Sequence, residues 1–471
     1  MSSLDDRTGA ASDARTKLVC TIGPASIGLV PDLAAAGMDV ARVNFSHGTP
    51  ADHADAAARV RETAGVALLV DLPGPKIRLG DLDAESLDLD SGDAFTLRPA
   101  DPSPGDVRGA HVGYAGLAED VNVGDRILLA DGAVELRVTA TDSEVRTEIV
   151  RGGTIRPHAG VSVPSERITR PSLTDADRDG APRAIGLGAS YIAQSFVRRA
   201  ADIEELRGLI GADGPWIVAK IETRPAIDDF DAICDAADVV MIARGDLGVE
   251  LPYEEVPILQ KQLVRRALDR GVPAIVATQM LESMISSPRP TRAEASDVAN
   301  AIFDGADAVM LSAETAIGAY PILAAEAAMR IARLCEEKGV AHLPSGAPPS
   351  AATDADALAY AAVALAAADR EVAAIGCYTR TGRTARILSS LRPRVPIVAF
   401  SPDPAVIARL AVVHGVNARS CQAPAEDQTR LELMARLLGE SGAVPSGAAV
   451  VLVASTAEPG TGPNLLEILR T

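Results

Sequence analysis

Hydrophobic and polar positions along this chain fall into two rhythms. Eight apolar runs punctuate its first two-thirds, and each ends in a short polar cluster. In order they are KLVCTIGPAS (17–26), VARVNFSHG (40–48), LLVDLPGPKIR (68–78), YIAQSF (191–196), IVAKIET (217–223), VVMIARGDLG (239–248), AIVATQMLES (274–283) and AVMLSAET (308–315). Runs this long, rich in Val, Ile and Leu, mark strands buried on both faces. Helix-like stretches separate most of them, so the pattern predicts an α/β chain built on a (β/α)8 TIM barrel. In that fold the loops after the strands form the active site. Arg42, Asn44, Ser46, Asp71, Arg78, Lys220, Glu222, Asp246, Thr278 and Glu314 all sit at such strand ends and are expected to converge on one rim.

A second rhythm interrupts the first. Across 79–172 the helical patterns vanish and short alternating segments appear, with Asp131-Gly132 between ILLA and AVELRV as a hairpin signal. This reads as a small all-β domain inserted after the third barrel strand, bounded at 76–172, with prolines around Pro73–Pro75 and Pro164–Pro171 as hinges. The barrel then occupies 16–75 and 173–341. A Gly/Pro/Ser-rich stretch at 342–356 reads as a linker, and 357–471 alternates again as a smaller open α/β domain with a mostly parallel sheet.

Bulk composition narrows the function classes. The net charge of −19 argues against a nucleic-acid partner and would repel anionic substrates unless basic groups gather locally. Arg42, Arg78 and Lys220 at strand ends could do that gathering. Aromatic content of 3% means the cores must be built from Ala, Val, Leu and Ile. The five cysteines are scattered without C-x-x-C spacing and read as buried reduced thiols of a cytoplasmic protein. The polar, acidic residues 1–15 read as a frayed tail, neither a signal peptide nor a membrane span.

The segments NFSHG, GPKIR, AKIET, ARGDLGVELP, ATQMLESM, PRPTRAEASDVANAIFDGADAVMLSAETA and TRTGRTA together resemble pyruvate kinases, in that family's order and over nearly the whole chain. The resemblance implies a barrel with an inserted small β-barrel cap and a C-terminal α/β domain. It implies phosphoryl transfer from phosphoenolpyruvate to ADP, giving pyruvate and ATP, and a homotetramer. No membrane partner is expected.

Lys220 and Glu222 are two apart in a strand and so share a face. A buried salt bridge is the bland reading of that pair. The resemblance instead makes Glu222 and Asp246 ligands of Mg2+, with Mn2+ as an alternative, since two carboxylates plus substrate oxygens suit a small hard cation. Lys220 would then supply positive charge to the phosphoryl group in flight. Gly245, Asp246 and Thr278 would hold the substrate carboxylate, although a threonine there also suits a helix N-cap. Arg42 and Arg78 would contact phosphates. Asn44, His47 and Arg78 would lie near the nucleotide, with a turn-stabilising role equally open for His47. Ser312 and Glu314 would serve the proton relay to enolpyruvate. Thr291 and Glu294 read as a capping box, and the role of Arg292 stays open.

Two departures from the family stand out. The cap lysine preceding G-V-N-L-P-G falls at Ala159, with Arg156 or His158 as possible substitutes. In the monovalent-cation region, Asn44, Ser46 and Asp71 match, but Leu72 replaces a threonine and Lys76 a glutamate. With Pro73 and Leu79 this resembles potassium-independent relatives. Lys76 is expected to stand in for the ion, donating to Asp71 and neighbouring oxygens, so K+ should not be required; the bland alternative turns Lys76 into solvent and leaves potassium on backbone oxygens.

After the strand VAAIGCY, residues Thr379, Thr381, Gly382, Arg383 and Thr384 open a helix. Such a loop is an anion site or simply a capped helix. The family places an activator phosphate there, which implies a phosphorylated metabolite as effector and allosteric control. Two other readings compete: a catalytically silent regulator on the same fold, and a metal-dependent carbon–carbon lyase. Intact Lys220, Glu222, Asp246 and Thr278 oppose the first, and the cap and TRTGRTA segments oppose the second.

Overall fold

Strands at Lys17–Thr21, Val40–Asn44, Ala67–Asp71, Tyr191–Gln194, Trp216–Ile221, Val239–Ala243, Ala274–Ala277 and Ala308–Leu311 close into an eight-stranded parallel barrel. They coincide with the eight apolar runs. The structure is a computed structural model, and it describes residues 14–344, 353–424, 428–445, 447–454 and 464–470. Most of the predicted N-terminal tail and linker therefore lie outside the described residues.

Helices between the strands are set by local chemistry. Thr49 with Asp52, Thr174 with Asp177, and Thr291 with Glu294 form capping boxes that start the helices Pro50–Glu62, Asp175–Gly186 and Arg292–Asp304. Outward strand residues such as Leu18, Val70, Ile192, Ile217 and Val276 pack with these helices in one cluster. The other strand face fills the barrel with Val19, Val40, Leu69, Met241, Ile275 and Met310. That interior is continuous with the C-terminal domain, because Tyr191 and Trp216 share its cluster with Ala385, Leu388 and Leu410.

The insertion is a curled six-stranded sheet around Phe95, Leu97, Ile127 and Leu136, beside a two-stranded sheet. It differs from the expectation in two details. A four-residue helix, Leu117–Asp120, sits within it. The sheet does not close by a continuous ladder; isolated bridges from Arg78 to Gly160 and from Leu79 to Val112 join its two edges. The predicted hairpin is present, with Leu129 paired to Val134 around Asp131 and Gly132.

The C-terminal sheet runs Val416–Ser420, Ile397–Ser401, Val372–Tyr378, Ala449–Ala454, Leu465–Arg470, with only the last strand antiparallel. Its domain is pinned to the barrel base at Asp307, which accepts from the Arg392 guanidinium at 3.0 Å and the His414 N–H at 3.1 Å. All five cysteines are free. Among the described residues no helix is long and apolar enough to cross a membrane.

Candidate active site

Parallel pairing sets Asn44 beside Asp71 and Asp71 beside Ala193, so the polar ends of neighbouring strands meet at one rim. At its centre lies Asp71, 1% exposed. Its Oδ2 accepts from Arg42 at 2.7 Å, and its Oδ1 lies 3.4 Å from Lys220 Nζ. Burial pushes the Asp71 carboxyl up, but Lys220 and Arg42 outweigh it and hold the group below its ordinary range. Arg42 is steadied from the other side by Thr21 Oγ1 at 2.9 Å.

Lys220 Nζ also lies 2.8 Å from Glu222 Oε1 and donates to Ser195 Oγ at 2.7 Å. Burial lowers a lysine pKa, yet Asp71 and Glu222 reverse this and keep the ammonium charged. Glu222 Oε2 accepts the Phe196 N–H at 2.7 Å, and Oε1 faces the Lys220 ammonium. The Glu222 carboxyl is pushed up by burial, with Asp246 adding to the rise against Lys220. Glu222 and Asp246 line one cavity, and their mutual repulsion, which helps raise the Glu222 carboxyl, is what a divalent cation would offset. Among the described residues no third acidic, His or Cys group joins them, so further ligands must come from substrate and water.

Around this centre the backbone is held in unusual conformations. Phe196, Thr278 and Gln279 have φ of 54°, 70° and 55°, which cost about 1–3 kcal/mol each. Thr278 is not a helix N-cap, contrary to that alternative. Its Oγ1 accepts the Gly245 N–H at 2.7 Å and donates to the Ala277 carbonyl, a bond that fixes the strained turn against the start of helix Arg244–Glu250. Arg244 completes the brace, donating to the Thr278 carbonyl at 2.7 Å and pairing with Asp297 at 2.6 Å. Gly74, with φ of 66°, is required by proximity, since a Cβ there would lie 2.7 Å from Ser195 Cβ.

The nucleotide-side candidates flank the same rim. Asn44 Oδ1 accepts the Ser46 N–H at 3.0 Å, making an Asx turn that leads to exposed His47. Burial, then Arg78, Arg42 and Lys76, hold the His47 imidazole below its ordinary pKa, so several cations face this spot. Arg78 donates to the His158 carbonyl at 3.1 Å, and the His158 ring turns to Asp81 at 3.2 Å. Of the two substitutes for the missing cap lysine, His158 is therefore engaged elsewhere, and Arg156 is exposed.

Two expectations, for Lys76 and Glu314, need correction. Lys76 does not reach Asp71, whose oxygens are taken by Arg42, Lys220 and Ser195; its Nζ lies 3.4 Å from Asp246 and 3.8 Å from Asp131 of the cap hairpin. Leu72 turns its side chain into the outer core beside Gly180, as strand alternation demands after inward-facing Asp71, and its carbonyl accepts Ser195 Oγ at 2.9 Å. Glu314 is fully buried with both oxygens on backbone N–H groups, of Leu281 at 3.0 Å and Ser312 at 2.7 Å, so it braces two loops instead of facing the cleft. Ser312 Oγ is buried without a partner.

A cavity of about 70 Å3 lies between cap and barrel, lined by Lys76, Asp131, Ser165, Arg198, Glu222 and Asp246. The family model described as pyruvate kinase, barrel domain, matches residues 13–325, and that of the pyruvate kinase alpha/beta domain matches 356–469. The chain belongs to the pyruvate kinase family. A pyruvate kinase of Geobacillus stearothermophilus is 41% identical, over 96% of this chain and 80% of that protein. One from Mycobacterium tuberculosis H37Rv is 40% identical, over 97% of this chain and 98% of that protein. A crystal structure of a pyruvate kinase from Cryptosporidium parvum superposes with a TM-score of 0.88 at 31% identity, covering 98% of both chains. Membership makes this chain a phosphotransferase, with phosphoenolpyruvate, ADP, pyruvate and ATP as its reactants and products and a divalent metal requirement.

Ser195, Phe196 and Glu250 also sit at this site and are not among the residues that the sequence singled out. Ser195 was findable, because it ends the fourth apolar run just as Asp71 ends the third. Phe196 acts through its backbone, and Glu250 through a hydrogen bond from Ser165 that ties the returning cap to the barrel. Neither leaves a sequence signal. In the C-terminal loop, buried Thr379 accepts the Gly382 N–H at 2.9 Å, Gly382 takes φ of 85°, and Thr381 and Arg383 stay exposed. Helix Arg383–Ser390 has no side-chain cap, which removes the plain capped-helix reading.

Proposed function

We propose that catalysis rests on the charge cluster around Asp71. The observation that carries this reading is Lys220 Nζ, held 2.8 Å from Glu222 and 3.4 Å from Asp71, with Arg42 on the far side of the same aspartate. Phosphoryl transfer asks mainly for positioned positive charge, and here two cations are fixed at the rim against the buried carboxylate of Asp71. Lys220 stabilises the phosphoryl group in flight, and Arg42 orients the phosphate of phosphoenolpyruvate. Glu222 and Asp246 would hold Mg2+, or Mn2+, which supplies Lewis-acid charge to the reacting oxygens when bound. The N–H groups of Gly245 and Asp246, with the Thr278 hydroxyl, receive the substrate carboxylate, exchanging for it the bonds that Gly245 makes to Thr278 Oγ1 and Thr278 to the Ala277 carbonyl. Asn44, His47 and Arg78 line the nucleotide side. Ser312 Oγ, buried and unpartnered, serves proton delivery to enolpyruvate, with Glu314 positioning its backbone. Formation of ATP from ADP and phosphoenolpyruvate with Mg2+ tests the assignment. Near wild-type turnover by Lys220→Met would refute the role of Lys220.

The same reading extends to ions and regulation. Lys76, placed between Asp246 and Asp131, supplies fixed positive charge at the cleft, and the enzyme works without potassium. Initial rates in potassium-free buffer with a bulky organic cation test this; strong activation by added potassium overturns it. Exposed Thr381 and Arg383, with Thr384, bind a phosphorylated effector that shifts a sigmoidal phosphoenolpyruvate curve. An unchanged effector response in Arg383→Ala would place the effector elsewhere. The protein is a cytoplasmic homotetramer, and exposed Tyr253, Ile258, Ile317 and Leu334 offer apolar surface for its assembly. Sedimentation gives the oligomeric state directly.

A further inference from the structure

His53 is the fourth residue of helix Pro50–Glu62, and it is 4% exposed. Ala56, Ala57 and Val60 of the same helix pack into the outer core of the barrel, so the helix is a firm support. Side chains lean toward a helix N-terminus. The His53 ring accordingly reaches back over the loop 45–49, which joins the second barrel strand to this helix.

Two contacts join the ring to that loop. Its Nε2 lies 2.7 Å from the His47 carbonyl oxygen, and a carbonyl only accepts, so Nε2 donates. Its face stacks on Phe45, with ring centroids 4.3 Å apart and planes 13° from parallel. Phe45 is covered in turn by Arg183 of helix Asp175–Gly186, whose guanidinium carbon lies 4.3 Å from the ring centroid. The other imidazole nitrogen, Nδ1, is buried and has no hydrogen-bond partner. Leaving a buried nitrogen unpaired costs stability, so packing alone calls for a ring without nitrogen. What the imidazole adds is the Nε2 donor. Little else holds this loop. The Phe45 N–H donates to the Asp71 carbonyl at 2.9 Å, the Ser46 N–H to Asn44 Oδ1 at 3.0 Å and the His47 N–H to the Asn44 carbonyl at 3.3 Å. Among the described residues no hydrogen bond besides these and that of His53 reaches Ser46, His47 or Gly48.

We propose that His53 is a positioning residue for the nucleotide: its Nε2–H holds the His47 carbonyl and its ring holds Phe45, so that Asn44 and His47 meet a nucleoside diphosphate in one fixed arrangement. The proposal rests on the reading of Asn44 and His47 as nucleotide-side residues. His53 itself is buried beneath the loop and acts through it. A loop already in its binding conformation loses less freedom when the nucleotide arrives, and that saving appears in the KM for ADP. Arg42 and Lys220, assigned to phosphoenolpyruvate and the phosphoryl group, are held by Asp71, Thr21 and Ser195 instead. The KM for phosphoenolpyruvate and kcat therefore depend little on His53.

Steady-state kinetics with Mg2+, varying ADP and phosphoenolpyruvate in turn, tests this on His53→Leu and His53→Gln. His53→Leu keeps an apolar body in the site and removes the donor. It is expected to raise the KM for ADP about fivefold, the usual worth of one hydrogen bond, while the KM for phosphoenolpyruvate and kcat change by less than about twofold. The amide nitrogen of His53→Gln can occupy the Nε2 position, so this variant should recover most of the loss. His53→Asn, with a shorter amide, should not recover it, and the pair His53→Gln and His53→Asn carries the test if His53→Leu does not fold. In nucleotide-free protein labelled with 13C-histidine, the His47 ring signal reports the loop directly; it should move in His53→Leu and return in His53→Gln. An equal rise in both KM values, or no recovery in His53→Gln, reduces His53 to packing and overturns the proposal. An unchanged KM for ADP with an unmoved His47 signal overturns it and leaves the nucleotide-side reading of His47 standing. An unchanged KM for ADP with a shifted signal takes the loop off the nucleotide side, and that reading and the proposal fall together.

Discussion

Arg386 lies over the ring of Trp216, its guanidinium carbon 5.0 Å from the ring centroid. The two residues belong to different domains. Trp216 begins the barrel strand that also carries Lys220, and Arg386 follows the TRTGRTA loop in helix Arg383–Ser390. Gly382 closes the same contact, since a Cβ there would lie 3.5 Å from Trp216. The C-terminal loop therefore rests on the foot of a catalytic strand.

Because the chain has one tryptophan, its emission reports on this contact alone. Arg386→Ala is expected to red-shift that emission and to lower stability by about 1 kcal/mol, from lost cation–π attraction and stem packing. An unchanged spectrum would separate Arg386 from Trp216 in solution.

Lys220→Met should lower kcat by at least about a thousandfold, in line with loss of a preorganised charge. It also strips Asp71 and Glu222 of a buried counter-ion, so folding stability should fall by about 3 kcal/mol. Divalent metal should recover part of that loss by neutralising Glu222. Thermal unfolding with and without Mg2+ checks this, and a metal-independent loss would remove Glu222 from the metal site.

Ser195 touches Lys220 at 2.7 Å, Asp71 at 3.3 Å and the Leu72 carbonyl at 2.9 Å, so it fixes where the ammonium sits. Ser195→Ala should cut kcat about tenfold with little change in KM, and Ser195→Thr should restore most of it. Equal loss in both variants would mean simple disruption of packing.

Lys76→Glu puts a carboxylate near Asp246 and Asp131. Activity in potassium-free buffer should fall about tenfold, and added potassium should recover some of it. Steady-state rates with and without potassium decide; an unaffected variant would free Lys76 of any part in the site.

His414 sets a pH dependence of folding. Burial first, then Arg392, Arg15 and Lys17, hold its pKa well below the ordinary 6.5. The folded state thus resists a proton that the unfolded state accepts. Stability is complete above pH 6.5 and declines as pH falls from there toward the folded pKa, by up to about 1.4 kcal/mol per pH unit. His414→Gln should flatten that acid limb in denaturant titrations, whereas a superimposable pH profile would show that the imidazole is not held neutral.

Much of this was legible in the residues themselves. The eight apolar runs, long enough to be buried on both faces and each ending in polar residues, carry the barrel and place its working rim. Asp131-Gly132 marks the cap hairpin, and Thr291 with Glu294 marks a helix start, because turns and caps are decided within a few residues. Lys220 and Glu222 share a face by strand period alone.

Contacts between distant segments belong to the tertiary structure. Strand parity turns Leu72 into the outer core and Asp71 inward, but only the packing of the rim assigns Asp71 to Arg42 and Lys220 and sends Lys76 to Asp246 instead. Glu314 reads as an active-site acid until Leu281 and Ser312 claim both its oxygens. The left-handed backbone at Phe196 and Thr278 has no local sequence cause; neighbouring strands and Arg244 impose it. Arg392 and His414 reach Asp307 only because two domains dock there. Periodicity records which face of an element is buried, whereas the partner of a charged side chain is set by where the ends of separate elements come to rest.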